Sequence, residues 1–534
     1  MAYIREDLTV RRLLESRAAR DPDHAYLRHA GATWTIANLN DRVNRLANGL
    51  AALGVAEGDR VPLMLQNHPD YVLASFALAK LGAVQVPMNV RLAADGLAYV
   101  LEHCEPMLVI ADARFREVLA QGLAGCTARR VVWRNGQSSN REHAKQTTEA
   151  DFHRVATRGS PAPPPGSPGP RDTVAILYTS GTTGPPKGVL LTDKMWRAAA
   201  YASAAVADVR DGDVMLVWEP LYHIGGVQVL VLALEHRVTL HMVDRFSATR
   251  FWDEVRDSGA TQIHFLGGIL QLLLRQPASD RDRDHDVRIA WGGGAPDAVW
   301  REFERRFGIE VRENYGMTEA SSLTTINTDA HFGSVGRAAP YFDVRIVDTA
   351  GCEIPTGQPG EILVRELEPG LITPGYFKNP DATAAALRDG WLHTGDLGRL
   401  DESGYLYFMG RLKDSIRRRG ENVSAWEIER LVDQLDWVEE CAAIGVPDEI
   451  GDEDIKIFVR PSDAERVDVP ALVRWCETKL GDFQVPRYYA VVDAFEKTGT
   501  QRIRKENLPR TTDDAWTRAP GGGITAPRSR IDGE

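Results

Sequence analysis

Residues 177–189 read LYTSGTTGPPKGV. An apolar run from Val174 to Leu177 enters a loop of hydroxyl residues and glycines (Thr179, Ser180, Gly181, Thr182, Thr183, Gly184) and then reaches Lys187. Small residues let backbone N–H groups point into one concavity, the hydroxyls add donors, and Lys187 adds a point charge; that set suits a polyphosphate. It is not a Walker A loop, because Pro186 precedes the lysine and Gly188 follows it. A flexible Ser/Thr/Gly surface turn would share this composition, but the strand before it and the Pro-Pro-Lys-Gly ending argue against that.

Two further stretches have chemistry of the same kind. NYGMTE, residues 314–319, follows strand-like IEVREN. The face of Tyr315 can stack on adenine, the Thr318 hydroxyl can donate to phosphate, and Glu319 can hold Mg2+; standing alone, such a stretch would as readily be a turn around a buried tyrosine. WLHTGDLG, residues 391–398, supplies Asp396, whose carboxylate can accept hydrogen bonds from both hydroxyls of a ribose.

The elements that must position these groups follow from periodicity. LNDRVNRLANGLAALG (39–54) spaces Val43, Leu46, Leu50 and Leu53 by threes and fours and stops at Gly54, which predicts an amphipathic helix. DRVPLMLQ (59–66) reads as a strand, YVLASFALAKLG (71–82) as a second helix and AVQVPMN (83–89) as a second strand. Alternation at this spacing implies βαβ units and a parallel sheet. Residues 157–172, TRGSPAPPPGSPGPRD, read as a mobile connector. Alternation resumes to about residue 330, short strands fill 333–408, and a compact α+β piece follows residue 411. The last two dozen residues read as a disordered tail.

Composition bounds the class. A chain of 534 residues allows roughly three or four core-bearing units at about 150 residues each. The net charge of −12 argues against bulk attraction to nucleic acid or anionic membrane. Five scattered cysteines without a C-x-x-C pair predict a reduced, cytoplasmic protein with no zinc site. The charged N-terminus lacks the apolar segment of a signal peptide. The longest apolar stretch, VQVLVLAL at 227–234, is too short to span a bilayer.

With these motifs in this order, the chain from about residue 8 to 510 resembles the adenylate-forming superfamily, which includes acyl-CoA synthetases, peptide-synthetase adenylation domains and beetle luciferases. The resemblance implies an α/β fold: a large N-terminal domain (1–410) of two βα-layered subdomains plus a small β-rich unit, then a small mobile α+β C-terminal domain (411–510) and a tail (511–534). It implies ATP, with an acyl adenylate and AMP along the reaction path, together with coenzyme A and Mg2+. Residues 179–184 and Lys187 would hold phosphate; Gly293, Gly294 and Ala295 in WGGGAP would lie against adenine and the acyl pocket; Asn314 and Tyr315 would contact the base. Thr318 and Glu319 would act at phosphate and metal, and Asp396 and Arg411 on the nucleotide. Lys413 would be the hinge and Gly420 would flank the pantetheine tunnel. Arg418 and Arg419 would meet coenzyme A phosphates, unless the run 417–419 is an ordinary solvated basic face. His223 in PLYHIGG matches a histidine at the mouth of the acyl pocket in the acyl-CoA synthetase branch of fatty-acid and carnitine-type ligases; a core histidine is the alternative.

One position departs from the family pattern. In EKTGTQRIRK (496–505), Lys497, Thr498 and Thr500 match a Lys-Thr-x-Thr-Gly-Lys run, but the glycine is Gln501 and the final lysine is Arg502. That lysine serves the first half-reaction in the family, in which a carboxylate attacks the α-phosphate of ATP. A compact ammonium offsets the repulsion between two anions, and a planar guanidinium does not replace it one for one. The expectation is an acyl-CoA ligase with adenylation weak or lost and thioesterification kept, supplied with acyl adenylate by a separate adenylating enzyme. The alternatives are a complete ATP-dependent acyl-CoA synthetase using Arg502, and a non-catalytic nucleotide- or acyl-binding protein. WEPLYHIGG and IHFLGGILQLL (263–273) carry little fixed charge and favour a hydrophobic acid as the small-molecule substrate.

Overall fold

The computed structural model describes residues 3–92, 94–123, 126, 130–136, 148–179, 186–412, 415–418, 421–448, 453–462, 467–481, 484–497, 502–519 and 523–527. Its contacts divide the chain into two compact units: Met1–Asp343 with Val364–Leu392, and Val344–Leu363 with His393–Glu534. The short strands placed with the N-terminal domain in the sequence reading are thus shared between the units, and the boundary is not a single cut at residue 410.

The first unit is built on two seven-stranded sheets. One runs Glu310–Glu313, Ile289–Gly293, Gln262–Leu266, Val214–Val217, Thr239–Met242, Ala25–His29 and Ala32–Thr35, parallel except at its last pair. The other holds Arg60–Met64 between Val84–Pro87 and Val109–Asp112, all parallel, with Thr173–Thr179 and Lys187–Thr192 as an antiparallel edge pair. The helix expected over 39–54 spans Ile36–Ala52. Thr35 caps it, and Leu39, Val43, Leu46 and Leu50 turn inward. Each such leucine removed from water contributes roughly 1.5–3 kcal/mol. The second helix spans Pro69–Leu81 and ends on Gly82 at φ +69°, a left-handed cap that glycine adopts without a Cβ penalty.

Residues 159–166 of the Pro/Gly/Ser-rich stretch lie along these helices. Asn44 donates to the Pro161 carbonyl at 2.8 Å, Asn48 to Ser160 and Ala162 at 2.9 and 2.8 Å, and Arg11 to Pro164 and Gly166 at 2.8 Å each. Lys80 ties the same helices from inside: its ammonium reaches Glu15 at 3.1 Å, Asn40 at 2.6 Å and Asn44 at 2.7 Å.

In the second unit, Val438–Pro447 pairs antiparallel with Glu453–Pro461, which runs parallel to Tyr488–Val491. The helices Ala425–Val432 and Val469–Lys479 bury Ile428, Val432, Leu472 and Val473 against this sheet. The tail expected to be disordered instead adds Trp516–Arg518 and Ile524–Thr525 to the sheet edge. The physical reason is an anchor invisible to composition. Buried Lys456 donates to the Thr511 carbonyl and the Asp514 carboxylate, each at 2.6 Å, and so holds the chain that leads into the added strand. Among the described residues no helix is long and apolar enough to cross a membrane.

Lys80 makes a pH test possible. Burial pulls its pKa from 10.5 down to about 8, with Glu15 opposing the shift. Below about pH 8 both folded and unfolded states carry the proton and the burial penalty is fully present; above about 10.5 both are neutral and it is gone. In paired urea melts, wild type should therefore gain stability relative to Lys80→Met as pH rises through that window. The gain should be on the order of 3 kcal/mol; a pH-independent difference would refute the shift.

Candidate active site

The strand Thr173–Thr179 returns antiparallel as Lys187–Thr192, with Thr179 opposite Lys187 and Tyr178 opposite Gly188. The Ser/Thr/Gly loop therefore closes a hairpin, whereas a Walker A loop leads from a strand into a helix. Ser180, Gly181, Thr182, Thr183 and Gly184 lie outside the described residues. Lys187 is exposed, and its ammonium sits 5.1 Å from the centre of the Tyr376 ring.

Tyr376 was not singled out from sequence. It lies on an extended segment zipped onto the strand after the loop: Leu190 N–H donates to the Gly375 carbonyl at 3.1 Å, and Phe377 N–H to Gly188 at 2.8 Å. The same segment grips the 314–319 motif. Thr373 N–H donates to the Glu319 carbonyl at 2.8 Å, and the Tyr376 hydroxyl donates to the Glu319 carboxylate at 2.9 Å. One tyrosine thus joins the loop lysine to Glu319. Thr318 and Glu319 are 9% and 8% exposed, on the single 3-10 turn Thr318–Ala320.

Tyr315 is buried, with its N–H donating to Thr325 Oγ1 at 3.1 Å and its carbonyl accepting from Thr324 and Thr325 N–H at 2.9 Å each. The turn after it needs glycine: a Cβ on Gly316 would lie 1.6 Å from the Ser322 carbonyl oxygen. Asn314 N–H donates to the Gly292 carbonyl at 2.7 Å, which joins the two strand ends. Glu313, also missed from sequence, fixes the neighbouring loop: its carboxylate accepts from Gly294 N–H at 2.6 Å and Ala295 N–H at 2.8 Å. Charge-assisted bonds of this kind are short and strong. The structure therefore brings Gly293, Gly294, Ala295, Asn314, Tyr315, Thr318, Glu319 and Lys187 onto linked loops of one unit.

His223 is the N-cap of the helix Ile224–Glu235, its Nδ1 accepting from Gly225 N–H at 3.2 Å. An accepting Nδ1 places the ring proton on Nε2. The segment before it is clamped by Asn67, which donates to the Glu219 carbonyl at 2.7 Å and accepts from Leu221 N–H at 3.1 Å. A Cβ on Gly225 would meet His223 Nδ1 at 3.1 Å and His264 Cε1 at 3.5 Å, so two imidazoles flank this glycine. His264 is buried, which draws its pKa from 6.5 down to about 3 and keeps the ring neutral.

The second unit holds Asp396 and Arg411 directly opposite each other on paired strands, with Arg411 Nε 2.9 Å from Asp396 Oδ1. Thr394 Oγ1 accepts from Asp396 N–H at 3.0 Å. Lys413, Arg419 and Gly420 lie outside the described residues. Arg418 corrects an expectation. It is 4% exposed, and its guanidinium donates to the Val485 carbonyl at 2.6 Å and pairs with Asp454 at 3.0 Å. A guanidinium committed in this way holds the fold together and is not presented to coenzyme A phosphates.

Arg502 is exposed, beside a bridge that pairs Lys497 with Ile503. The basic residues around it have carboxylate partners: Lys497 with Glu440, Lys505 with Glu429 at 2.6 Å, and Arg504 with Glu496 at 3.6 Å.

The AMP-binding enzyme family matches residues 14–377, and the AMP-binding enzyme C-terminal domain matches residues 427–502. A crotonobetaine/carnitine–CoA ligase of Escherichia coli O157:H7 is 33% identical over 485 residues, covering 89% of this chain and 93% of that protein. Among solved structures, a fatty acyl CoA synthetase of Mycobacterium tuberculosis superposes with a TM-score of 0.71 at 30% identity, over 93% of this chain and 96% of that one. An O-succinylbenzoate coenzyme A synthetase of Bacillus subtilis, in complex with AMP, gives 0.80 at 25% identity, over 93% and 97%. With two family matches spanning residues 14–377 and 427–502 and a relative 33% identical over 89% of the chain, the chain belongs to the AMP-binding enzyme family, the adenylate-forming superfamily, in its acyl-CoA synthetase branch.

Proposed function

We propose that this chain is an acid–thiol ligase that forms an acyl-CoA thioester from an acyl adenylate and coenzyme A, with the ATP-dependent first half-reaction weakened by Arg502. One observation carries the second clause. Arginine stands where the family pattern has lysine, and the lysines on either side, Lys497 and Lys505, are each held by a glutamate. Neither is a ready stand-in for a compact ammonium between a carboxylate and an α-phosphate.

The remaining parts suit nucleotide chemistry. Tyr315 supplies an aromatic face, Thr318 a hydroxyl donor, and Lys187 a cation steadied by the Tyr376 ring. Among the described residues no three His, Cys, Asp or Glu side chains gather around one point. Glu319 with substrate phosphates and water would hold Mg2+, which is commonly bound by one or two carboxylates and phosphate oxygens. Mg2+ bound there would neutralise phosphate charge. Tyr376 would keep the Glu319 carboxylate aimed by its 2.9 Å hydrogen bond, and Asp396, steadied by Arg411, would accept from ribose hydroxyls.

A second reading keeps both half-reactions, and one feature favours it: the Arg502 guanidinium is exposed and retains the positive charge. A split assay separates the two. ATP–pyrophosphate exchange is measured over a panel of carboxylic acids, and thioester formation is measured from chemically made acyl adenylates plus coenzyme A. The proposal expects thioester from adenylate with little exchange, and exchange raised by about 10²–10³ in Arg502→Lys. Robust exchange by the unmodified chain, unchanged in that variant, would leave a complete synthetase.

Gly316→Ala tests the tyrosine turn. The added Cβ must push the Ser322 carbonyl away, at a cost of roughly 1–3 kcal/mol. AMP affinity should fall by at least about tenfold as Tyr315 moves. Equal AMP affinity in the folded variant would separate Tyr315 from the base.

A further inference from the structure

One helix holds both limbs of the Ser/Thr/Gly hairpin. On Ala94–Cys104 the side chains of Tyr99 and His103 are four residues apart and share a face. Their rings stack, with 5.6 Å between centres and 9° between planes. His103 Nδ1 lies 2.7 Å from the Tyr178 hydroxyl, on the strand that enters the loop. The Tyr99 hydroxyl donates to the Pro186 carbonyl at 3.2 Å, on the limb that leaves it. Phe377 closes the cluster, its ring meeting His103 edge-on at 5.5 Å. Beside it, Lys378 donates to the His103 carbonyl at 3.0 Å and pairs with Glu105 at 2.8 Å.

These contacts bracket Lys187. The carbonyl of Pro186, just before it, is taken by Tyr99, and the carbonyl of Gly188, just after it, accepts from Phe377 N–H at 2.8 Å. Gly188 has no room for a side chain: a Cβ there would lie 2.7 Å from Ile176 Cγ2 and 3.3 Å from Tyr178 Cζ. The lysine itself is long and exposed, so the reach of its ammonium is set by where its backbone is held. Burial raises the pKa of the Tyr178 phenol, and burial with the nearby Lys378 charge lowers that of His103. The 2.7 Å contact therefore joins two neutral groups near neutral pH.

We propose that Tyr99 and His103 are positioning residues for ATP: from a single helical turn they fix both limbs of the hairpin and so set where Lys187 stands against a polyphosphate. Both act through the hairpin. The inference rests on the ligase reading above, in which Lys187 meets phosphate. A point cation matters more to ATP, with its chain of charged phosphates, than to AMP with one. The two nucleotides therefore separate this role from a general loss of packing.

The test measures the affinities of the full chain for Mg2+–ATP and for AMP by calorimetry, without acid or coenzyme A, so that no turnover is required. Tyr99→Phe removes one hydroxyl and keeps the stack; His103→Leu removes the bond to Tyr178. Each should weaken ATP by about three- to tenfold, the value of one neutral hydrogen bond, and leave AMP within about twofold. Tyr99→Phe carries the test if His103→Leu does not fold. His103→Asn, which keeps an amide near the Nδ1 position, should recover most of the loss. Tyr178→Phe combined with His103→Leu should lose no more than either change alone, because both remove the same bond. Equal weakening of ATP and AMP, or unchanged ATP affinity, would overturn the inference and reduce the cluster to packing. Lys187→Ala separates the inference from the reading beneath it. If that variant lowers ATP affinity relative to AMP while the helix variants do not, the phosphate role of Lys187 stands and the positioning role falls. If it leaves the ratio unchanged, both fall.

Discussion

A polar group taken out of water must find a partner, and the architecture of this site follows from how that rule is met. Glu313 gives its carboxylate to two backbone N–H groups and thereby fixes the Gly294–Ala295 loop. Tyr376 gives its hydroxyl to Glu319, while the backbone on either side of it is zipped to the strand behind the Ser/Thr/Gly loop. These bonds lie within the protein and hold the loops in place.

The same rule accounts for the buried cations. Lys80, Lys456 and Arg418 are buried, and each is matched to oxygens of the protein; their work is to hold helices, the tail and a strand edge. Lys497 and Lys505 are tied to glutamates within the C-terminal unit. Arg502 is exposed, and its difference from lysine is one of shape and hydration rather than charge.

By itself the sequence determined everything carried by short-range pattern. The strand leading into the Ser/Thr/Gly loop, the NYGMTE motif, the first helices with their glycine stops, and the departure at Arg502 are local arrangements of residue type and spacing, set by backbone geometry within a few residues. The tertiary structure alone decided which side chains meet across the chain. Tyr376 and Glu319 are 57 residues apart, and Arg418 and Val485 are 67 apart. The strand Trp516–Arg518 was read as tail because its partner, Tyr488–Val491, gives no sign in the local composition. Strand register and helix packing choose such partners, and neither leaves a periodic trace. The buried pair of Glu219 and His264 escaped notice for the same reason: each stands alone among apolar neighbours in sequence, and only the tertiary fold brings them into contact.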